Sequence, residues 1–166
     1  MKYLFLKLLS FFYGLVAGLR NELFNLKVLS SREFDLPVIS IGNITVGGTG
    51  KTPHTEYIVG LLKSNFKVAT LSRGYKRKTR GFYIVEPTSK VRQVGDEPLQ
   101  IKLKFDEITV AVDANRVRGI EKLIALPNKP NVILLDDAFQ HRYVTPGINI
   151  LSVSYTHLTL PTNREV

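Results

Sequence analysis

The run from Ile39 to Val59, ISIGNITVGGTGKTPHTEYIV, holds the residues best suited to chemistry. A phosphate-binding loop needs inward-facing backbone N–H groups, small residues that let oxygens approach the main chain, and a helix N-terminus whose dipole faces the anion. Thr45, Val46, Gly47, Gly48, Thr49 and Gly50 supply such a loop between a strand-like run and a helix-like one. Lys51 then reaches the β- and γ-phosphates, and the Thr52 hydroxyl ligates Mg²⁺. Thr45 stands where the usual pattern has glycine. That position only enters the turn, and Gly47 and Gly48 keep flexible backbone nearby, so the departure weakens the pattern more than the physics.

A second signal lies downstream. The apolar run VILLDD ends in Asp136 and Asp137, the arrangement that sets a metal-associated carboxylate at a strand's C-terminal end beside a phosphate loop. Either aspartate fits that role. Guanine readers commonly carry Asn-Lys-x-Asp; Asn128-Lys129-Pro130-Asn131 has an amide where the carboxylate belongs, so ATP is the expected nucleotide.

Other residues are placed to face an acceptor. SRGYKRKTRG, Ser72 to Gly81, carries Arg73, Lys76, Arg77, Lys78 and Arg80, enough positive charge for a phosphorylated substrate, anionic headgroups or nucleic acid. Aromatic interleaving is thin, Tyr75 and Phe82 only, which argues against the last. Asp96 in VGDEP either caps the helix that follows or takes a proton from a hydroxyl. Arg116 and Arg118 open another helix in DANRVRG, where an anion would sit, and DDAFQHR adds Gln140 and His141 beyond the carboxylates.

The elements that must position these groups alternate. Strand-like runs at Pro37 to Ile41, Lys67 to Ser72, Gly81 to Glu86, Glu107 to Val112, Asn131 to Asp136 and Ile148 to Val153 are separated by helix-length segments. Two of those segments read as helices, Thr52 to Lys63, with Ile58, Leu61 and Leu62 toward a sheet, and Arg116 to Leu126. This pattern predicts an α/β domain, a mostly parallel sheet flanked by helices over residues 36–152, with ligands at the carboxyl ends of the strands. At 166 residues with no cysteine, the chain can bury a core without disulfides, and thiolate catalysis and cysteine zinc sites are excluded. The reading is cytoplasmic. A net charge of +9 favours anionic partners without choosing among them.

Residues 1–27 read as a separate helix. Its uncharged run from Leu8 to Leu19 is shorter than the ~20 residues a span requires, and no small-residue cleavage site follows it. Aromatic and aliphatic bulk with Lys2, Lys7, Arg20 and Lys27 at its flanks suits a helix lying in an anionic membrane interface; packing on its own domain is the alternative. From residue 153 onward the chain shows neither helix period nor capping logic, and residues 153–166 are expected to be a solvated or non-native tail.

Taken in order, GNITVGGTGKTP, LSRGYKRKTRGF, VGDEPLQI, VAVDANRVRGIEKL and VILLDDAFQHR resemble the tetraacyldisaccharide 4′-kinase family of lipid A synthesis, from the N-terminal helix to about Leu151. The family tolerates Ser or Thr at the position of Thr45. The resemblance implies a P-loop NTPase-like kinase on the cytoplasmic face of the inner membrane. It would transfer the γ-phosphate of ATP to the 4′-hydroxyl of a tetraacyldisaccharide 1-phosphate, with Mg²⁺. By the same resemblance Lys51 and Thr52 serve ATP and Mg²⁺, Asp136 and Asp137 are the Walker B carboxylates, and Asp96 is the general base. Arg73, Tyr75, Arg116, Arg118 and His141 match positions around the disaccharide and its phosphate. No nucleic-acid partner is expected.

Members of that family run to roughly twice this length, so the expectation is an N-terminal half that is at best a weak nucleotide binder and does not by itself carry out phosphoryl transfer. His157, in the aberrant tail, is not a substitute for a histidine of the missing half. Two rivals stay open at the level of sequence: a partition- or metallochaperone-type P-loop ATPase, and a basic membrane- or nucleic-acid-binding module whose glycine loop holds a structural anion.

Overall fold

The computed structural model describes residues 2–43, 51–138 and 141–152. The loop residues Thr45 to Gly50, Gln140 and the tail from residue 153 lie outside the described residues, as do the side chains of Lys51 and Thr52. The chain divides into two compact units, residues 1–32 and 33–166.

The first unit is built on helix α1, Lys2–Asn25. Phe11, Phe12, Leu15, Val16 and Leu19 are all more than half exposed, and the rings of Phe11 and Phe12 meet edge to face, 5.9 Å between centroids. Arg20 lies over the Phe24 ring at 5.8 Å. No helix among the described residues is long and apolar enough to cross a membrane.

The second unit is a three-layer α/β/α sandwich. Strands β1 (Val38–Asn43), β2 (Val68–Ser72), β3 (Tyr83–Ile84), β4 (Thr109–Val112), β5 (Val132–Asp136) and β6 (Ile148–Ser152) form one sheet in the order β3-β4-β2-β5-β1-β6. All pairings are parallel except β3 with β4. Every side chain of β2 and β5 is buried, which is why both read as continuous apolar runs instead of alternating ones.

Helices α2 (Lys51–Leu62), α3 (Val91–Val94) and α4 (Asp96–Lys104) contribute Val59, Val94 and Ile101 to one core layer, which meets Ile39, Ile41, Val68, Val110, Val132 and Leu134 of the sheet. Helix α5, Arg116–Ile124, covers the opposite face through Ile120 and Leu123, against Ala69, Leu71, Ala111, Ile133 and Leu135. Its buried positions, Arg116, Gly119, Ile120 and Leu123, fall at i, i+3, i+4 and i+7, one stripe of a 3.6-residue helix. Asn115 caps it, its side chain accepting the Arg118 N–H at 3.0 Å, a local bond that satisfies one orphan donor of the first turn.

Several sequence expectations are corrected. The strand read over Gly81 to Glu86 is reduced to Tyr83–Ile84; Gly81, at φ +76°, still belongs to the preceding loop. On α2 the buried positions are Thr55 and Val59, with Ile58 and Leu62 packed beside them, while Leu61 points outward and is 58% exposed. Leu61 is two residues past Val59, about 200° around the helix. Asp96 does not precede α4 as its cap. It is the first residue of the helix, and Gly95 stands at the cap position before it.

Candidate functional site

At the carboxyl ends of the strands the sheet gathers its polar residues. Register pairs Ile41 of β1 with Asp136 of β5, so Asp136 ends its strand next to the one that feeds the glycine-rich segment. Helix α2 begins at Lys51, directly after that segment. One turn along, the Thr55 hydroxyl donates to Asp136 Oδ1 at 3.1 Å, with both side chains buried. The helix that follows the glycine-rich segment is thereby bonded side chain to side chain to the strand-end carboxylate. Asp137 is exposed and turns at φ +52°, so the two adjacent aspartates have different surroundings: Asp136 is fixed in the sheet, Asp137 begins the loop beyond it.

Arg116 is the most deeply set cation of the site, 2% exposed. Its Nη1 donates to the carbonyl of Asp113, and its Nη2 donates to the carbonyl of Asp136 at 3.2 Å. The guanidinium thus reaches from the end of β4 to the end of β5, across β2, which lies between them. Burial pulls its pKa down to about 10, partly offset by the charges of Asp136 and Asp137, while Arg73 adds to the lowering; at neutral pH it remains a cation. Its Nε is buried without a hydrogen-bond partner among the described residues. With His141, Ala114, Asn115, Val117 and Tyr143 it lines a cleft of about 450 Å³ at the start of α5.

Arg118, on the same helix, is engaged differently. Its Nε and Nη2 grip both oxygens of Asp113, at 2.8 and 2.7 Å. Asp113 is fully buried and also accepts the Asn115 N–H at 2.9 Å. Burial pushes the Asp113 carboxyl up, but the Arg118 hydrogen bonds, the Asn115 N–H and the charges of Arg118 and Arg77 outweigh it and hold its pKa below the ordinary carboxylate range. A bidentate, charge-assisted pair of this kind fixes the guanidinium plane as well as supplying energy.

The basic loop after β2 is a folded structure and not a loose charged run. Arg77 is turned inward, Nη2 donating to the Gly81 carbonyl at 2.7 Å and Nη1 to Thr79 Oγ1 at 3.2 Å. Lys78 N–H donates to the Arg92 carbonyl at 2.7 Å, and the Thr79 hydroxyl donates to the Gln93 carbonyl. These bonds tie the loop to α3. Arg73, Tyr75, Lys76, Lys78 and Arg80 are left exposed, with Lys76 over the Tyr75 ring.

Two glycines join this loop to Asp96. Gly95 lies at φ +94°, ψ 162°, and a Cβ there would come within 3.2 Å of Gly74 Cα and of the Tyr75 carbonyl oxygen. Gly74, at φ +69°, has still less room, with the Val94 carbonyl oxygen 2.7 Å from where a Cβ would lie. The backbones therefore meet without side chains between them, and the exposed carboxylate of Asp96 starts α4 beside Arg73 and Tyr75 in the chain path. The structure thus forms one side-chain grouping, Thr55 with Asp136 and Arg116, and brings the backbone before α4 against the 73–81 loop at Gly74 and Gly95. His141 is partly buried in the cleft, and Arg118 is bound to Asp113.

Sequence reasoning missed Thr55, Asp113 and Gly95. Thr55 carries a readable signal, since it lies one helical turn after Lys51 on the face that must meet the sheet. Asp113 and Gly95 carry none that separates them from ordinary turn residues. The near match to a guanine motif is also explained: Asn131 exchanges hydrogen bonds with the Lys67 backbone at the start of β5, the opposite end of that strand from Asp136.

Among the described residues no group of three or more His, Cys, Asp or Glu is arranged to hold a metal. A single buried carboxylate beside a helix N-terminus instead suits Mg²⁺, which keeps several waters and takes further ligands from phosphates. The donor set fits that ion.

Comparison with known proteins agrees with this geometry. The sequence model of the family described as LpxK, tetraacyldisaccharide-1-P 4′-kinase, matches residues 2–159. A tetraacyldisaccharide 4′-kinase of Parabacteroides distasonis is 60% identical over 144 residues, covering 86% of this chain and 39% of that protein. One from Flavobacterium psychrophilum is 55% identical over 146 residues, 88% and 43% of the respective chains. The crystal structure of LpxK from Aquifex aeolicus in complex with ATP superposes with a TM-score of 0.76 at 38% identity, covering 86% of this chain and 46% of that one. The chain thus spans about two-fifths of the length of the curated relatives it matches. On these matches, and on a mostly parallel sheet whose carboxyl edge carries the expected motifs, the chain belongs to the tetraacyldisaccharide-1-P 4′-kinase family.

Proposed function

We propose that this chain is the nucleotide-binding and acceptor-facing portion of a kinase that transfers the γ-phosphate of ATP to the 4′-hydroxyl of a tetraacyldisaccharide 1-phosphate. The observation that carries the reading is the bond from Thr55 of α2 to Asp136 at the end of β5. It couples the helix that starts with Lys51-Thr52 to the carboxylate a phosphoryl-transfer site requires at that edge. Thr45 to Gly50 would cradle the phosphates, Lys51 would contact them, and Thr52 and Asp136, with Asp137 beside it, would hold Mg²⁺. The ion bridges phosphate oxygens and neutralises charge that develops on them.

The remaining roles follow from position. Asp96 takes the proton of the attacking hydroxyl; in support, it is exposed and follows Gly95, whose backbone approaches Gly74 of the basic loop. Arg73 and Tyr75, exposed on that loop, face the anionic sugar. Arg116 is a fixed cation whose orientation is set by two carbonyls before any ligand arrives, the preorganised kind of charge that needs no reorganisation during reaction. Arg118 is held to Asp113 and His141 lines the Arg116 cleft, both within the substrate-side group. Helix α1, with its exposed Phe11, Phe12, Leu15, Val16 and Leu19, rests on the anionic cytoplasmic face of the inner membrane, where a substrate with four acyl chains resides. Residues 1–27, 36–152 and 153–166 then act as anchor, kinase domain and tail.

A partition-type ATPase would share the phosphate loop but has no use for a carboxylate placed as base for a sugar hydroxyl. Two variants test the reading. Lys51→Ala is expected to abolish binding of a fluorescent ATP analogue by this chain and to leave vesicle binding intact. Asp96→Asn is expected to keep nucleotide binding. With the chain fused to the C-terminal portion of the Parabacteroides relative, it should lower transfer to the disaccharide by about 10²- to 10⁴-fold, the usual worth of a general base. Unchanged transfer in Asp96→Asn refutes its role, and ATP binding that survives Lys51→Ala refutes the phosphate loop.

A further inference from the structure

Ser72 and Asp136 end neighbouring parallel strands. Leu71 is in register with Leu135, so the next residues along, Ser72 and Asp136, lie side by side at the carboxyl edge, about 5 Å apart in the hydrogen-bonding direction. Side chains alternate along a strand, and Val68 of β2 and Leu134 of β5 both belong to the core layer under α2. Ser72 and Asp136 therefore face that same layer, from which Thr55 comes down to donate its hydroxyl to Asp136 Oδ1. Three side-chain oxygens, from α2, β2 and β5, converge on one face of the sheet edge.

The Ser72 member is incomplete. The residue is 8% exposed and its hydroxyl is buried with no hydrogen-bond partner among the described residues. A buried hydroxyl left without a partner is costly, and in a native protein it ordinarily marks the place of a bound water or ion. Its neighbour on the sheet is the carboxylate assigned to Mg²⁺, an ion that dehydrates reluctantly and reaches protein groups through its waters.

We propose that Thr55 and Ser72 are positioning residues for the magnesium site. The Thr55 hydroxyl fixes the rotation of the Asp136 carboxylate, and the Ser72 hydroxyl accepts or donates a hydrogen bond to a water of the hydrated ion beside it. The inference rests on the kinase reading, in which Asp136 serves Mg²⁺. Nothing in the phosphate-loop pattern, which ends at Thr52, assigns a role to either residue.

Binding of a fluorescent ATP analogue to the full 166-residue chain, titrated once in Mg²⁺ and once in EDTA, reads the site through the ratio of the two affinities, independent of turnover. Thr55→Val and Ser72→Ala are each expected to cut the magnesium-dependent gain by about tenfold, the usual scale for groups that orient metal ligands, with the affinity in EDTA unchanged. Thr55→Ser, which keeps the hydroxyl, should retain the gain. Ser72→Ala removes one atom that makes no hydrogen bond among the described residues, so its melting temperature should stay at or above the wild-type value; it keeps the test decisive if Thr55→Val folds poorly. A gain that survives intact in Ser72→Ala and in folded Thr55→Val overturns the inference and leaves the kinase reading standing. A wild-type chain that binds the analogue without any magnesium gain, or not at all, overturns both.

Discussion

Replacing Gly95 by alanine tests whether the contact between two glycines places Asp96. Gly95 occupies φ +94°, ψ 162°, a region that is essentially glycine-only and costs a side-chain-bearing residue about 1–3 kcal/mol. The new Cβ would also lie 3.2 Å from Gly74 Cα and 3.2 Å from the Tyr75 carbonyl oxygen. Both are backbone atoms of a loop held by Arg77, Lys78 and Thr79, so they yield less readily than a side-chain tip; overpacking of this kind adds about 1 kcal/mol at the low end. A destabilisation of about 2–4 kcal/mol corresponds to a melting temperature lower by roughly 4–16 °C for a domain of this size. Thermal denaturation followed by far-ultraviolet circular dichroism measures it. The protein contains its own control: Gly60, inside α2, has nothing within 4 Å of an added Cβ. Gly60→Ala should be neutral or stabilising by up to about 1 kcal/mol through helix propensity. A Gly95→Ala protein that melts within about 2 °C of wild type would refute the argument, because neither the backbone region nor the close approach would then carry the stated cost.

Two further outcomes follow from the packing and the charges. Gly119→Ala would set a methyl 2.6 and 2.9 Å from the Leu71 methyl groups, and Leu71 is fully buried; a net loss of about 1–2 kcal/mol is expected after the helix-propensity gain. Adding Leu71→Ala should recover part of that loss in a double-mutant cycle, and strict additivity would exclude the contact as the cause. The second concerns acid. Because the Asp113 carboxyl is held below its ordinary range, its contribution is complete above the unfolded value of about 3.9 and is lost as pH falls through the folded one. Asp113→Asn should therefore melt below wild type at pH 7, with the gap narrowing on acidification below about pH 4. A gap constant from pH 7 to pH 3 would show that charge is not what Asp113 contributes.

How far the sequence alone reached can be judged residue by residue. The runs that became β2 and β5 were legible because a strand buried on both faces must be apolar throughout, and the phosphate-loop pattern marked the start of α2 because lysine and threonine follow glycines there. The short strand β3 was overread, since apolar content marks a strand but not the number of residues that find a partner. Leu61 was placed inward because composition cannot fix the phase of a helix to within one residue. Basic residues in the 73–81 loop were legible as charge; that Arg77 is spent on its own loop while Arg73 stays exposed was not.

The amino-acid sequence by itself determined the family, the alternation of strands and helices, and the chemical types that the proposed phosphoryl transfer requires, because each of these depends on local order along the chain. Only the tertiary structure decided which groups meet. Thr55 and Asp136 are 81 residues apart and share a hydrogen bond; Arg116 reaches across β2 to Asp136; Gly74 and Gly95 touch through bare backbone. These contacts depend on strand order and register, which place β5 between β1 and β2, and no spacing in a linear sequence encodes which strand lies beside which.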